Sequence, residues 1–355
     1  MIGRIALVIG SILFSLIVLE LGVRANRGWD ALTHWPNLVL QARLQSWARG
    51  DQSSAVPDPR LGFVGRPNYV SADGELTYDA HGRRPTPAPV GAVVLAEPPI
   101  LVVGDSYAQG NEVNDAEAWP SRLQGLIGQR VVNAGMGGYG IDQAVLRAEI
   151  VAREVKPAAI ILSFIADDAR RAEMKRVWGL EKPYFELVNG ELVERNVPVP
   201  PSPDPASTLD LWQWLFGWSV LVDEVLKSQG WQFEWHLDYA RVLPRGEGAR
   251  LACPLFKRLA AIGVPVLVVN EYDPWHWQND EYRAVTRATD DTVLACAKAA
   301  GFATLDLFET IDAAVRANGL WKVYRQGHPG PIGTEAAARR IAAELETSHM
   351  LTAGR

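Results

Sequence analysis

The sequence has no long block of like charge and little excess of either sign. Its 355 residues include 35 Lys and Arg against 41 Asp and Glu, a formal net charge of −6. A groove that binds nucleic acid needs clustered basic side chains to neutralise phosphates, and no basic stripe runs along this chain. The composition therefore excludes nucleic acid as the expected partner.

Cysteine is also scarce, since Cys253 and Cys296 are the only two in the chain. They lie in separate amphipathic segments, and their spacing matches no known set of metal ligands. We expect buried free thiols, with a disulfide between the two as the alternative. The segment GMGGYG, which ends at Gly140, lacks the GxGxxG spacing that cradles a dinucleotide. The sequence therefore predicts neither a metal nor a cofactor.

The amino terminus is the most apolar part of the chain. As a helix, the run from Ile5 to Val23 would be about 28 Å long, enough to cross the hydrocarbon core of a membrane. Glu20, near one end, is its only charged residue. We predict a retained transmembrane anchor over residues 1–25. The alternative is a cleaved secretory signal, for which Val23-Arg24-Ala25 offers a weak cleavage site.

The basic residues on the two sides of this run favour a cytoplasmic location for the rest of the chain. Arg4 and the α-amino group precede the run, whereas Arg24, Arg27, Arg43 and Arg49 follow it. Positively charged flanks tend to stay on the cytoplasmic side of a membrane.

The remainder divides into a connector and an α/β domain. Residues 26–98 contain many prolines and no long amphipathic period, which predicts an irregular connector with one hairpin, for which Ala72-Asp73-Gly74 is a turn signal. From residue 99 to 355, strand-like and helix-like segments alternate, which is typical of βαβ units and a parallel sheet. The predicted strands are 100–103, 131–133, 159–164, 265–270 and 303–307. The predicted helices are 116–127, 141–154, 250–261 and 284–300, with a last helix after Gly333.

About a hundred residues separate the third and fourth strands, which is too long for a simple connection and predicts an insertion at about 172–248. Within it, the segment from Tyr184 to Arg195 predicts a hairpin around Asn189-Gly190. The insertion is also rich in tryptophan. Such a density could line a sugar site or touch a membrane surface, but the spacing favours packing on a core. These residues are Trp212, Trp214, Trp218, Trp231 and Trp235.

The segment ILVVGDSYAQG, residues 100–110, places a hydroxyl just after the first predicted strand of this domain. In open α/β sheets, ligands bind in the crevice at the carboxyl ends of the strands, so Ser106 would face that crevice. The simpler interpretation is a turn followed by a helix start, because Gly, Asp and Ser all favour turns and caps.

Other polar groups are predicted at the same edge of the sheet. The second strand leads into a glycine-rich loop, the third ends at Asp167 and Asp168, and His328 lies in a Gly/Pro loop before the last helix. A serine that attacks an acyl group needs a base and backbone N–H donors for the developing oxyanion, and these positions supply both. The glycines are Gly135, Gly137, Gly138 and Gly140.

These blocks resemble the SGNH/GDSL hydrolase superfamily, in particular its membrane-anchored bacterial members. Gly104-Asp105-Ser106-Tyr107 resembles the block that holds the nucleophile, Gly138 falls at the oxyanion-hole glycine, and HPGPIG with His328 resembles the last block. The resemblance implies a flavodoxin-like three-layer α/β/α sandwich with a central five-stranded parallel sheet. It also implies Ser106 as nucleophile, His328 as general base, and the N–H groups of Ser106 and Gly138 as the oxyanion hole.

Two positions depart from the pattern of that superfamily. Asp167 stands where an oxyanion asparagine is usual, and an ionised carboxylate there would repel the developing charge, so its place in the oxyanion hole is doubtful. Arg325 stands where an aspartate usually orients the histidine, and an arginine cannot accept the imidazole N–H. The orienting group is then expected to be Asp273 or Glu271, after the fourth strand, or a backbone carbonyl or water.

The expected function is a membrane-anchored serine esterase that hydrolyses acyl or acetyl esters, with O-acylated glycans as the substrate to try first. The alternatives are an O-acyltransferase of a cell-surface polysaccharide and a degenerate module that binds a glycan or a partner protein. The expected location is the bacterial inner membrane, crossed once, with the folded body in the periplasm despite the arginine bias. These expectations rest on the resemblance and the anchor.

Overall fold

The computed structural model describes residues 2–49, 54–87, 96–202, 209–229, 231, 235–236 and 246–351. Contacts divide the chain into two units. The small unit comprises Met1–Asp51, Lys175–Glu181 and Pro201–Leu243, and the large unit comprises Gln52–Met174, Lys182–Pro200 and Pro244–Arg355. Each unit draws on more than one segment of the chain.

The secondary structure of the described residues alternates strands and helices over most of its length. The helices are α1 (Ile2–Arg27), α2 (Trp29–Thr33), α3 (Leu38–Arg49), α4 (Ser106–Gln109), α5 (Trp119–Ile127), α6 (Ile141–Val155), α7 (Ala166–Ala172), α8 (Leu211–Phe216), α9 (Val220–Ser228), α10 (Glu247–Ala260), α11 (Asp280–Ala299), α12 (Phe308–Asn318), α13 (Leu320–Val323) and α14 (Pro331–Thr347), with a 3₁₀ turn at Pro274–Trp277. The strands are β1 (Ala55–Asp58), β2 (Gly62–Gly65), β3 (Ala96–Val103), β4 (Gln129–Asn133), β5 (Ala159–Phe164), β6 (Arg176–Val177), β7 (Leu180–Glu181), β8 (Tyr184–Val188), β9 (Glu191–Arg195), β10 (Val266–Asn270), β11 (Ala303–Asp306), β12 (Tyr324–Arg325) and β13 (His328–Pro329).

The large unit is organised by a five-stranded sheet in the order β11-β10-β5-β3-β4. Every neighbouring pair in it is parallel. When the five strands are renumbered 1 to 5 along the chain, their order in the sheet is 2-1-3-4-5, as in flavodoxin. The switch point, at which the strand order reverses and ligands bind, lies beside the first of these strands, β3. The predicted fold class is therefore confirmed, and the carboxyl end of β3 lies where a ligand crevice is expected.

Both faces of the sheet are buried, because branched apolar residues fill the strands without alternation. One face, which includes Ile100, Ile161 and Leu267, packs on side chains of α5 and α14 such as Leu123 and Ile341. The opposite face packs on α6, which in turn contacts α10. Burying each such side chain stabilises the fold by about 1.5–3 kcal/mol, which is why a three-layer arrangement forms.

The residues between the anchor and the sheet differ from the prediction in their first half. Residues 26–98 were expected to be an irregular connector, but α2 and α3 are helical, and β1 and β2 form an antiparallel hairpin. Near the predicted turn signal, Val70 and Thr77 form an isolated antiparallel bridge. Burial against neighbouring segments, which a single sequence does not reveal, decides helix or coil in such a weakly patterned stretch.

The predicted hairpin of the insertion is confirmed. β8 and β9 pair in register from Tyr184 with Arg195 to Val188 with Glu191. Asn189 and Gly190 have φ of 53° and 84°, as a two-residue hairpin turn requires. The hairpin belongs to the large unit, whereas residues 201–243 of the predicted insertion belong to the small one.

The expectation of free thiols was wrong. Cys253 lies on α10 and Cys296 on α11, and these two helices pack together. The cysteines meet at this contact and form a disulfide, with 4.5 Å between their Cα atoms. Their spacing in sequence could not show this, since the pairing depends on which faces of two helices meet.

The small unit contains α1 and a tryptophan-rich part of the insertion. Among the described residues, Gly3–Arg27 is the one helix long and apolar enough to cross a membrane. The expectation that the tryptophans pack on a core was wrong for four of the five, because Trp212, Trp214, Trp218 and Trp231 are 63%, 65%, 37% and 59% exposed.

Candidate active site

Ser106 begins α4, directly after the carboxyl end of β3. Asp105 caps this short helix, since its carboxylate accepts the N–H of Tyr107 at 2.8 Å. Gly104 makes the tight turn with a φ of 153°, and a Cβ at that position would lie 2.5 Å from the carbonyl oxygen of Ser163. Only glycine fits there, so the strand-to-helix turn that presents Ser106 is fixed by the local sequence.

His328 reaches the same place from the other end of the chain. It lies in the small hairpin of β12 and β13, where it pairs with Arg325 across a turn. The hydroxyl of Tyr107 donates to the carbonyl of Gly327 at 2.6 Å and so holds this turn next to α4. His328 Nε2 lies 2.9 Å from Ser106 Oγ. The structure therefore brings together the predicted serine and histidine.

The carboxylate beside His328 is one that the sequence analysis missed. His328 Nδ1 lies 3.2 Å from Glu112 Oε1, within reach of a hydrogen bond that the carboxylate accepts. Glu112 comes six positions after Ser106, in the loop that follows α4, and its φ is 67°. A non-glycine residue in this conformation is strained, as is often found at functional sites. The signal in the sequence that could have indicated this role is the glutamate at the end of GDSYAQGNE, residues 104–112.

Neither acid that we expected to orient His328 does so. The carboxylate of Glu271 accepts hydrogen bonds from Ser163 Oγ at 2.5 Å and from Trp119 Nε1 at 3.1 Å. That of Asp273 accepts the Tyr282 hydroxyl at 2.6 Å and caps the turn at Pro274–Trp277. Both acids follow β10 as predicted, but burial and these hydrogen bonds hold them in the interior. Burial raises the pKa of Glu271 to about 8, against the hydrogen bond from Ser163.

Arg325 has a role in the same arrangement. Its guanidinium NH1 lies 3.4 Å from the carbonyl oxygen of Glu112, to which it donates. The residue at the position of the usual aspartate therefore contacts the loop that supplies the carboxylate.

The glycine-rich loop after β4 packs closely against α4. A Cβ at Gly135 would lie 2.5 Å from the N–H nitrogen of Gln109, and one at Gly137 would lie 3.7 Å from Ser106 Cβ. Gly138 has a φ of 82°. In the described part of the chain, no hydrogen-bond acceptor faces the N–H of Ser106 or that of Gly138. Among the described residues, neither N–H group is engaged by an acceptor of the protein, so both can donate to a ligand.

Asp167 is not available as a donor in this site. Its carboxylate accepts hydrogen bonds from Arg170 Nε at 2.6 Å and forms an ion pair with Arg171 NH2 at 2.9 Å. An ionised carboxylate can only accept hydrogen bonds, so the doubtful assignment of Asp167 to the oxyanion hole is not supported by its contacts. Arg171 also pairs with Asp105 and Asp168, which balances charge beneath the site.

Asn111 is a second residue that the sequence analysis missed. A Cβ built on Gly137 would lie 3.9 Å from Asn111 Nδ2 and 3.7 Å from Ser106 Cβ. The Oδ1 atom of Asn111 is buried and has no hydrogen-bond partner among the described residues. The Asn111 amide nitrogen and Ser106 Cβ therefore both lie within 4 Å of one point beside the glycine loop.

The arrangement can perform nucleophilic acyl chemistry. A serine hydroxyl in contact with an imidazole, whose other nitrogen contacts a carboxylate, is the geometry in which proton transfer activates the oxygen. Among the described residues, no group of three or more His, Cys, Asp or Glu side chains is placed to hold a metal ion.

Comparisons with known proteins find likeness only among solved structures, since no family profile and no curated protein matches the chain. One is LAE5, an α/β hydrolase from the metagenome of Lake Arreo, Spain, with 12% identity, a TM-score of 0.44, and coverage of 74% of this chain and 99% of that one. TesA has 15% identity, a TM-score of 0.40, and coverage of 72% and 100%. A catalytic mutant of Axe2, an acetylxylan esterase from Geobacillus stearothermophilus, has 14% identity, a TM-score of 0.44, and coverage of 72% and 96%. At these values the likeness assigns neither activity nor substrate, and the functional argument depends on the site itself.

Proposed function

We propose that the protein is a serine ester hydrolase of the SGNH type. The observation that carries this proposal is the continuous contact from Ser106 Oγ to His328 Nε2 at 2.9 Å and from His328 Nδ1 to Glu112 Oε1 at 3.2 Å. Glu112 supplies the carboxylate beside His328 that Arg325, at the position of the usual aspartate, cannot supply. The chain therefore has a complete set of groups for acyl transfer.

In the proposed reaction, Ser106 Oγ attacks the ester carbonyl carbon while His328 Nε2 takes its proton. Glu112 holds the Nδ1 hydrogen and stabilises the imidazolium that forms. When the tetrahedral intermediate breaks down, His328 returns the proton to the leaving alcohol and an acyl-enzyme remains. Water, deprotonated by the same histidine, then releases the acid and restores Ser106.

The proposed oxyanion hole is made of the N–H groups of Ser106 and Gly138, with the Asn111 amide as a third donor. This set requires no donor from Asp167, whose carboxylate is paired with Arg170 and Arg171. Each donor of this kind contributes about 2.7–4 kcal/mol of transition-state stabilisation in a water-excluded site.

We also propose that α1 anchors the chain in the bacterial inner membrane, with the large unit in the periplasm. The disulfide between Cys253 and Cys296 supports this location, because disulfides persist in oxidising compartments. The arginines that follow α1 argue for the opposite orientation. O-acylated glycans are the proposed substrates, because an anchored enzyme in that compartment meets acylated surface polysaccharides.

Labelling with a fluorophosphonate probe tests the nucleophile. In the full chain in detergent, we expect the wild type and Ser348→Ala, a control at the end of α14, to be labelled and to hydrolyse p-nitrophenyl acetate. Ser106→Ala should lose both properties, with turnover reduced by about 10⁴-fold or more. A wild type that the probe does not label at any pH would contradict the proposal.

The acyl acceptor is tested separately, by giving the acyl-enzyme a choice between water and a sugar hydroxyl. Free acetate as the main product supports the hydrolase. Acetylated oligosaccharide as the main product would replace it with an O-acyltransferase that uses the same residues.

A further inference from the structure

Helix α8 of the small unit has its polar side chain buried and its apolar side chains exposed. Gln213 is only 2% exposed, and its side chain donates to the carbonyl of Trp235 at 2.8 Å and accepts from Arg43 NH2 at 3.0 Å. The other five residues of the helix form what we call the aromatic patch. They are Leu211, Trp212, Trp214, Leu215 and Phe216, exposed by 64%, 63%, 65%, 38% and 42%.

A helix on the surface of a water-soluble protein usually buries its apolar side chains and exposes its polar ones, whereas α8 does the reverse. Isolated exposed apolar residues are common, but five on one short helix, with the glutamine turned inward, indicate a surface that meets an apolar environment. The rings of Trp212 and Phe216 stack at 5.9 Å, so part of the patch is a continuous aromatic surface.

The aromatic patch is fixed to the carboxyl-terminal end of α1. Glu20, in the last part of α1, accepts hydrogen bonds from the Ser219 hydroxyl at 2.7 Å and from the N–H of Val220 at 2.9 Å. Arg24 pairs with Glu20 and donates to the carbonyl of Trp218 at 2.5 Å. Trp218 follows α8 by two residues, and Glu20 and Arg24 are both buried by these contacts.

The length of α1 sets the depth of this attachment in a membrane. From Arg4 to Arg24 the helix rises about 30 Å at 1.5 Å per residue, which equals the thickness of the hydrocarbon core. If Arg4 lies at one boundary of the core, Arg24 lies at the other. The contact between Arg24 and Trp218 then places the end of α8 at that boundary, where tryptophan side chains are enriched.

We propose that the aromatic patch inserts into the interfacial layer of the same bilayer that α1 crosses. The indole and phenyl rings would enter the acyl boundary to a depth of about 5–10 Å, while the buried Gln213 holds the helix on the small unit. The small unit is thereby held on the membrane surface as well as tethered to it. This inference rests on the proposed membrane anchor and is independent of the esterase activity.

Depth-dependent quenching tests the inference on the full chain. Both native cysteines are in a disulfide, so the single replacement Trp212→Cys can carry an environment-sensitive fluorophore, and Trp214→Cys provides a second site should the first fail to fold. The control is Trp321→Cys on α13 of the large unit, where the native side chain is 56% exposed. The proteins are reconstituted in vesicles of phosphatidylethanolamine with a minority of phosphatidylglycerol, with and without nitroxide-labelled lipid.

We expect the label at position 212 or 214 to be quenched by the nitroxide lipid at least about twofold more than the label at 321, as insertion at the interface requires. Equal, weak quenching at all three positions would overturn the inference. A shielded label that the lipid does not quench would also overturn it, and would identify a second copy of the chain as the occupant.

The same reconstituted samples also test the membrane anchor and the esterase activity. Release of the chain by alkaline carbonate would contradict the anchor, whereas retention with a water-exposed label at 212 contradicts only the insertion of the patch. Ester hydrolysis by the labelled variants, which should equal that of the wild type, reports on Ser106 and His328 separately.

Discussion

Glu112 Oε1 lies 3.2 Å from His328 Nδ1, although 216 positions separate the two residues in the chain. The acid comes from the loop just after the serine, and Arg325, at the position where the acid was sought, contacts the backbone of that loop at 3.4 Å. The side chain of Glu112 thus contacts His328, and the main chain of the same residue contacts Arg325. The predictions below begin with this pair.

Replacing Glu112 by glutamine should reduce kcat/KM for p-nitrophenyl acetate by about 10²–10⁴-fold. The amide cannot stabilise the imidazolium, and loss of the corresponding acid in a serine protease costs about 10⁴-fold. Glu112→Asp should retain more activity than Glu112→Gln. The control is Glu309→Gln, at an exposed position in the first turn of α12. Activity of Glu112→Gln within about twofold of the wild type would show that another group orients His328.

Asn111→Ala should lower kcat by about 10²–10³-fold with little change in KM, because an oxyanion donor acts mainly in the transition state. Asn318→Ala, an exposed asparagine at the end of α12, is the matched control and should behave as the wild type. A rise in KM with unchanged kcat would instead place Asn111 in substrate binding.

Asp167→Asn should leave activity unchanged or raise it modestly. The substitution removes a negative charge just after the carboxyl end of β5, while Arg171 keeps its pairs with Asp105 and Asp168. The comparison is of kcat/KM on the same ester, with the melting temperature as a check on folding. A large loss of activity in a stably folded variant would mean that Asp167 has a role of its own.

Removing the disulfide with Cys253→Ser and Cys296→Ser together should destabilise the large unit. The cross-link spans 43 positions, and closing a loop of that size is worth about 4 kcal/mol in the chain-entropy treatment, or about 10 °C in melting temperature. Reduction of the wild type should give the same fall, and the double variant should not respond to reductant. Equal melting temperatures in all samples would show that the cross-link does not form.

The Glu271→Gln variant should be more stable than the wild type, by a difference in the free energy of unfolding that grows as the pH rises. Burial raises the pKa of Glu271 from 4.5 to about 8, so the folded state holds a proton that the unfolded chain releases. The free energy of unfolding therefore falls between about pH 4.5 and pH 8, by about 1.4 kcal/mol per unit, and glutamine removes this loss.

Thermal unfolding of both proteins across this pH window measures the effect. The melting temperature of the variant relative to the wild type should rise by about 2–4 °C per pH unit. Parallel curves would show that Glu271 titrates normally.

The α/β core could be predicted from the sequence because its signals are local. Runs such as the one ending at Val103 are apolar enough to specify buried parallel strands, and Asn189-Gly190 specifies a two-residue turn without help from the rest of the chain. The turn that presents Ser106 is equally local, since Gly104 and Asp105 fix it by backbone conformation and capping.

The partner of His328 could not be predicted in this way. A choice among Glu112, Glu271 and Asp273 depends on which carboxylate is buried among other donors and which faces the cleft, and a single sequence contains no such information. The same holds for Cys253 and Cys296, which pair only because two helix faces meet.

The sequence by itself determined the parallel sheet, the position of Ser106 after its first strand, and an apolar helix of membrane-spanning length, because strand, turn and helix signals act over a few neighbouring residues. Only the tertiary structure decided that Glu112 lies beside His328 and that Trp212 and Trp214 face outward. The physical reason is that these outcomes depend on packing between segments far apart in the chain, where burial and the competition for hydrogen-bond partners select one arrangement among several that the sequence allows.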